Sequence, residues 1–307
     1  MGIVIKGWGS ALPEKVLTNA DFEARLDTSD AWIVERTGIR ERRWGGTTVG
    51  LSVESGQLAL DSAGVEAGDI DLLLLATTTP DQQIPGSSAS VQNLLGTKGG
   101  AVDLNAACSG FVYALIVGAG MCAVGSKRAL VIGTDCMSRT VDPDDRGTAI
   151  LFGDGSGAVV IEAVDGPGQL LGWDLGCDGS LRHLLDQDHG GFLQMNGKEV
   201  FRQAVRVAVD SSRKALDAAG LEAGDVSLFV AHQANTRIIT SACEKLGIPA
   251  DRVALVLERT GNTSAGSVPL ALVDALDNGR IHDGDNLLLC GFGAGMTWAS
   301  AVLRWGA

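Results

Sequence analysis

Apolar positions follow two alternating patterns along the chain. Residues 3–10, 71–76, 101–104 and 128–133 read as strands, those at 71–76 and 101–104 as buried ones. Residues 51–63, 89–95 and 111–124 carry apolar positions three or four apart and read as helices. Thr18-Asn19 and Thr28-Ser29-Asp30 are helix-start signals, the second opening the stretch 31–40. Residues 149–152 and 158–163 read as a strand pair. A second half begins near Gly166-Pro-Gly168. It runs strand 169–175, long helix 198–219, strand 226–231, helix 235–246, short strand 252–257, helix 264–276 and strands 286–290 and 297–304. This alternation predicts a layered α/β fold with helices packed on sheets.

The halves repeat each other. The segment starting Ala59-Leu-Asp-Ser-Ala-Gly matches the one starting Ala215-Leu-Asp-Ala-Ala-Gly, Phe152-Gly-Asp-Gly matches Phe292-Gly-Ala-Gly, and Gly7-Trp8 matches Gly172-Trp173. Three matches in one order point to a duplicated core, divided as 1–165 and 166–307. His232 then lies at the same strand end as Ala76, at the carboxyl edge where ligands of α/β sheets bind.

Composition narrows the class. The 307 residues can hold two ordinary domains or one large α/β unit. Six cysteines show no C-x-x-C spacing, which argues for a reduced, cytoplasmic protein rather than a disulfide or zinc module. The N-terminal residues carry no signal-peptide pattern, and no apolar run has the length of a membrane span. A net charge of −13 argues against nonspecific nucleic-acid binding. The 42 glycines suit many strand–helix turns.

Residues 101–110 (AVDLNAACSG) form the centre of the chemistry. A strand turning sharply into an apolar helix would leave Cys108 at the sheet's edge and at the helix N-terminus. The helix dipole there favours an anion, so the thiol is expected to have a lowered pKa. A buried structural cysteine is the other reading. Of four histidines, His183, His189 and His282 read as solvated. His232 ends an apolar strand and opens a polar cluster, as a site residue would. Asn262 reads as a site residue or as a turn or helix cap. Phe292-Gly-Ala-Gly leaves backbone N–H groups open, as an oxyanion hole requires, or makes a tight turn. Arg202, Arg206 and Arg213 share a helix face and, with Arg237 and Lys245, form either a docking patch for an acidic partner or a solvated surface.

Several motifs together resemble the β-ketoacyl-acyl carrier protein synthase III family. They are Trp32-Ile-Val-Glu-Arg-Thr-Gly-Ile, Ala107-Cys-Ser-Gly, Asp145-Arg-Gly-Thr, Phe152-Gly-Asp-Gly, His232-Gln-Ala-Asn-Thr-Arg-Ile, Gly261-Asn-Thr-Ser and Phe292-Gly-Ala-Gly-Met-Thr-Trp. The resemblance covers nearly the whole chain. It implies a thiolase-like five-layer αβαβα fold of two duplicated halves, usually a homodimer, with no cofactor. It also implies condensation of a short acyl-CoA with malonyl-acyl carrier protein, the step that starts type II fatty-acid synthesis. Cys108 would take the acyl group as a thioester. His232 and Asn262 would hold the malonyl thioester oxygen, and the N–H groups of Cys108 and Ala294 would form an oxyanion hole. Phe292 would wall the malonyl carboxylate. Trp32 and Arg146 would sandwich the CoA adenine, Arg36 would meet its phosphate, and Asn235 the pantetheine. Arg237 would lead carrier-protein docking.

Two positions depart from the family pattern. Ala294 stands where glycine is usual. Ile84 stands where many members have a phenylalanine that crosses the dimer to floor the partner's acyl pocket. Competing readings have specific signatures. A degradative or biosynthetic thiolase needs a second cysteine at the place of Gly291, and Cys290 would face the other way on a strand. A type III polyketide synthase-like enzyme acting on CoA esters also uses Cys, His and Asn, in a usually longer chain. A same-fold acyltransferase with an oxygen or nitrogen acceptor would be expected to lack Asn262. A non-enzymatic partner subunit would be expected to lose the set, which is intact.

Overall fold

The computed structural model describes residues 2–306. In the first half, β1 (Gly2–Ala11) leads to the small antiparallel pair β2 (Val16–Thr18) and β3 (Glu41–Arg43). Helices α1 (Asn19–Glu23) and α2 (Asp30–Thr37) lie between these two strands. Then follow α3 (Thr48–Ala63), β4 (Leu72–Ala76), α4 (Ser87–Leu95), β5 (Gly100–Leu104), α5 (Gly110–Ala123), β6 (Arg128–Cys136) and β7 (Asp154–Val164). The second half runs β8 (Leu170–Cys177), the two-residue strands β9 (Leu185–Asp186) and β10 (Gln194–Met195), α6 (Gly197–Ala219), β11 (Leu228–Ala231) and α7 (Thr236–Leu246). It ends with α8 (Leu257–Thr260), α9 (Ser267–Asp277), β12 (Asn286–Gly293) and β13 (Thr297–Arg304).

The duplication is visible in the sheets. The first is ordered β1-β7-β6-β4-β5 and the second, read from its outer edge, β8-β13-β12-β11. In each, the first two pairings in this order are antiparallel and the remaining ones, toward β5 and β11, are parallel. Val253 makes a lone parallel bridge to Phe229 where a counterpart of β5 would stand. The repeated sequences explain how each sheet seats its helix. Gly7 lies against the backbone of Ala59 and Ala63 in α3, and Gly172 against that of Ala215 and Ala219 in α6. A Cβ on either glycine would come within 2.6 Å of helix backbone, so both positions need the smallest residue. The two Phe-Gly-x-Gly sequences are displaced, because the first leads into β7 and the second closes β12.

Local chemistry sets the ends of the helices. Ser29 caps α2 by accepting from Trp32 N, Thr47 caps α3 through Gly50 N, and Asn196 caps α6 through Glu199 N. Gly38, Gly64 and Gly220 end these helices in the left-handed conformation. Along α6, Val205, Ala208, Ser212, Ala215 and Leu216 keep helical spacing and turn inward. The apolar α5, with Phe111, Ala114 and Leu115 fully buried, lies in the core between the sheets. Among the described residues no helix is long and apolar enough to cross a membrane.

Three expectations are corrected. Residues 149–152 do not pair with 158–163. Asp145 turns the chain there by accepting from Gly147 N and Thr148 Oγ1, and Phe152 bridges Asn262 instead. Residues 252–257 make only the bridge at Val253. The buried Gln233 side chain takes the backbone hydrogen bonds beyond it, accepting from Val256 N and Leu257 N and donating to Ala254 O. Residues 101–104 form a strand at the edge of its sheet rather than a buried one, with Val102 48 % exposed.

Candidate active site

Two sharp turns meet between the sheets. Before α5, Ala107 holds φ +49°, and before α9, Ser264 holds the same value. They are the only described non-glycine residues with positive φ. Each opens one turn of 3-10 helix, which leads into the helix proper. The end of β12 runs against the first turn, where a Cβ on Gly293 would lie 2.6 Å from Cys108 N. Asp135 at the end of β6 ties the second turn down. Its Oδ1 accepts from Thr78 N and Thr79 N, and its Oδ2 accepts from Ala265 N at 2.9 Å.

Cys108, His232, Asn262 and Phe292 line one cavity of about 140 Å³. Cys108 is 7 % exposed. Ser264 Oγ donates to its Sγ at 3.3 Å, and the N–H groups of Cys108 and Ala294 also act on the sulfur. Ala294 has ordinary backbone φ, so the methyl that replaces glycine costs no strain. The lowered thiol pKa expected from the helix terminus does not appear. Burial pushes the thiol up to about 12, with Asp135 adding to the rise, and outweighs the donors that favour thiolate. Burial likewise drives His232 down to about 3. The resting pair is therefore neutral thiol and neutral imidazole.

Ser267 settles the tautomer of His232. Its Oγ accepts from Gln233 N at 3.2 Å and lies 2.5 Å from His232 Nδ1. The serine hydrogen has no other acceptor, so it points to Nδ1 and the ring proton sits on Nε2. The Phe292 ring stands edge-on to the imidazole, 5.1 Å away. Asn262 is held from the first half, its N bonded to Leu151 O and its O to Gly153 N. Its Oδ1 accepts from Ser264 N at 2.9 Å, which leaves Nδ2 for a ligand.

On the other side of Cys108 lies a cavity of about 280 Å³, lined by Met137, Phe152, Leu185, Leu193 and Ala294 among others. Trp32, Arg36 and Arg146 come together with Asn235 beside the first cavity. The Arg146 and Arg36 guanidinium carbons lie 5.3 and 5.8 Å from the Trp32 ring centroid. Asn235 caps α7 through Arg237 N, donates to Arg36 O and also lines the first cavity. Arg202, Arg206, Arg213 and Lys245 line an open groove on α6 and α7, and Arg237 lies over Phe201 at its edge. Ile84 stands apart, 85 % exposed and lining neither cavity. Cys290 is buried on the opposite face of β12, toward Ala208. Sequence reasoning missed Gln233, Ser264 and Ser267. The two serines lie in or just after the Gly261-Asn-Thr-Ser stretch that read as a turn or helix cap, and Gln233 lies in the polar cluster that follows His232.

A buried thiol at a helix start, facing an imidazole and a carboxamide from the paired half, defines a condensing enzyme of the thiolase fold. The comparisons agree. Models of the 3-oxoacyl-[acyl-carrier-protein] synthase III family match residues 102–179 and, as its C-terminal part, 216–305. The β-ketoacyl-[acyl-carrier-protein] synthase III 1 of Bacillus anthracis is 48 % identical over the whole of both chains. That of Roseiflexus castenholzii is 47 % identical over 99 % of this chain and 98 % of its own. The crystal structure of the Aquifex aeolicus synthase III superposes with a TM-score of 0.96 at 42 % identity, covering 99 % of this chain and 100 % of the other. The priming β-ketosynthase of the R1128 polyketide pathway gives 0.94 at 37 %, covering 99 % and 96 %. The chain belongs to the β-ketoacyl-acyl carrier protein synthase III family. It is an acyltransferase of the condensation that initiates type II fatty-acid synthesis.

Proposed function

We propose that Cys108 accepts the acyl group of a short acyl-CoA and that His232 and Asn262 direct the decarboxylation of malonyl-acyl carrier protein. The convergence of these three side chains on one cavity carries the reading. The Cys108 sulfur attacks the primer carbonyl, and CoA leaves with the thiol proton. His232 Nε2–H and Asn262 Nδ2–H then donate to the malonyl thioester oxygen. Loss of CO2 puts negative charge on that oxygen, where preformed donors lower its energy most. The enolate carbon attacks the Cys108 thioester, and the N–H groups of Cys108 and Ala294 take the oxyanion. Collapse expels the Cys108 sulfur and leaves a 3-oxoacyl-acyl carrier protein. Phe292 supplies a dry apolar wall that favours loss of a charged carboxylate.

The CoA adenine stacks on Trp32, with Arg146 moving off the ring to cover the base's far face. Arg36 meets phosphate and Asn235 the pantetheine arm. The cavity beyond Cys108 holds the primer chain. Arg237, Arg202, Arg206 and Lys245 receive the carrier protein. No cofactor takes part. Two copies pair along β5, which leaves its edge open and Val102 exposed, with Leu94 and Val124 exposed on flanking helices. That pairing would carry Ile84 to its partner's primer cavity. The six unpaired cysteines suit the cytoplasm. The test is mass-detected acylation of Cys108 by acyl-CoA, then CO2 release on adding malonyl-acyl carrier protein. Full turnover by Cys108→Ala would refute the assignment.

A further inference from the structure

The strained turn before α9 does more than start a helix. Ser264 is buried and holds φ +49°, a conformation that glycine adopts freely and serine does not. Its counterpart in the duplicated half is Ala107, which has no polar side chain. A strained non-glycine residue at a site asks for a reason, and here the side chain supplies it. The Ser264 hydroxyl's one hydrogen-bond partner is Cys108 Sγ, at 3.3 Å. The backbone around it is fixed independently, with Ser264 N donating to Asn262 Oδ1 and Ala265 N donating to Asp135 Oδ2. The hydroxyl is thus free to serve the sulfur while the backbone serves the carboxamide.

We propose that Ser264 is a positioning residue whose hydroxyl steadies the Cys108 sulfur whenever it carries negative charge. This rests on Cys108 being the acyl acceptor. The sulfur is charged twice in the cycle, first as nucleophile toward acyl-CoA and again as leaving group when the enolate displaces it. The hydrogen bond transfers no proton. It strengthens as charge develops, because bonds to charged groups exceed those between neutral ones. The N–H groups of Cys108 and Ala294 also favour the charged sulfur, but in the proposed cycle they serve the oxyanion, and the Ser264 hydroxyl is the side-chain donor that remains. The Asp135 carboxylate opposes a thiolate, and the buried His232 is neutral and offers no cation.

The experiment compares Ser264→Ala and Ser264→Gly with the unaltered protein. Iodoacetamide alkylation of Cys108 is followed by peptide mass from pH 7 to 9, together with CO2 release from malonyl-acyl carrier protein in the absence of primer. A hydrogen bond to a charged group is worth about tenfold or more in thiolate population. Part of this returns, because a more basic sulfur is more nucleophilic. The expected result is alkylation slower by about fivefold at every pH in both variants, with primer-free CO2 release within twofold of the unaltered rate. The glycine variant relieves the strained turn, so a purely conformational role would spare it. Alkylation at the unaltered rate in either variant, or equal loss of alkylation and CO2 release, overturns the proposal. If alkylating Cys108 in the unaltered protein left turnover intact, the acceptor assignment itself would fall instead.

Discussion

The histidine proposed to direct decarboxylation should also limit the protein's tolerance of acid. His232 is 2 % exposed, and burial alone drives its imidazole from 6.5 to about 3. In the unfolded chain the ring titrates near 6.5. Between these values the unfolded state holds one more proton than the folded state. The depressed group therefore contributes its full stability above pH 6.5 and loses it as pH falls toward 3. Each pH unit inside the window costs about 1.4 kcal/mol. From pH 7 to pH 5 the loss assigned to this ring is about 2 kcal/mol. The assay is urea unfolding, read by tryptophan fluorescence at pH 7, 6 and 5, for the unaltered protein and for His232→Asn. All other side chains are common to the two proteins, so the difference between them isolates the buried ring. The variant should gain about 2 kcal/mol on the unaltered protein over this range. Parallel loss of stability would show that the imidazole protonates in place and would refute the neutral resting pair.

Three further outcomes follow from the site. Asn262→Ala should keep acylation of Cys108 by acyl-CoA and lose decarboxylation by about a hundredfold or more, as for removal of an oxyanion donor; the two half-reactions are measured separately by mass and by CO2 release. Arg237→Glu should raise the KM for malonyl-acyl carrier protein at least severalfold and leave priming by acyl-CoA unchanged, and added salt should mimic it weakly. Equal effects on both substrates would remove the groove on α6 and α7 from the docking assignment. Ile84→Phe should move preference toward acetyl-CoA over isobutyryl-CoA in kcat/KM, by the 10- to 200-fold at most (about 1–3 kcal/mol) that one methylene controls in an apolar pocket. An unchanged ratio would mean that Ile84 does not reach a partner's cavity.

Most of the architecture was legible because its signals are local. Thr18, Ser29 and the glycines after the helices mark ends that the structure respects. The repeat of Ala59 and Ala215 announced two equivalent helices, and the glycines they rest on explain why Gly7 and Gly172 recur. What escaped depends on contacts between distant parts of the chain. Nothing near residue 253 reveals that the Gln233 side chain would take a strand's hydrogen bonds. Phe152 lies in a run that suits a strand, yet its partner is Asn262, more than a hundred residues away. The thiol was misjudged for a related reason. A helix start is visible in sequence, whereas the depth at which Cys108 is buried, and the carboxylate of Asp135 near it, are tertiary facts. Edge and interior strands also look alike when both are apolar, as residues 101–104 show.

The matched halves imply where new specificity can be added at little cost to folding. In the first half the link from β1 to α3, residues 12–47, carries α2 with Trp32 and Arg36. In the second half the corresponding link from β8 to α6, residues 178–196, carries β9 and β10, and its Leu185 borders both cavities. Each half has therefore elaborated the same topological gap, one toward the proposed CoA-nucleotide site and the other toward the two cavities beside Cys108. The helix seats at Gly7 and Gly172 flank these gaps and do not depend on their length. Grafting either link from a relative should exchange handle or chain preference as a cassette, with Cys108, His232 and Asn262 left on the scaffold between them.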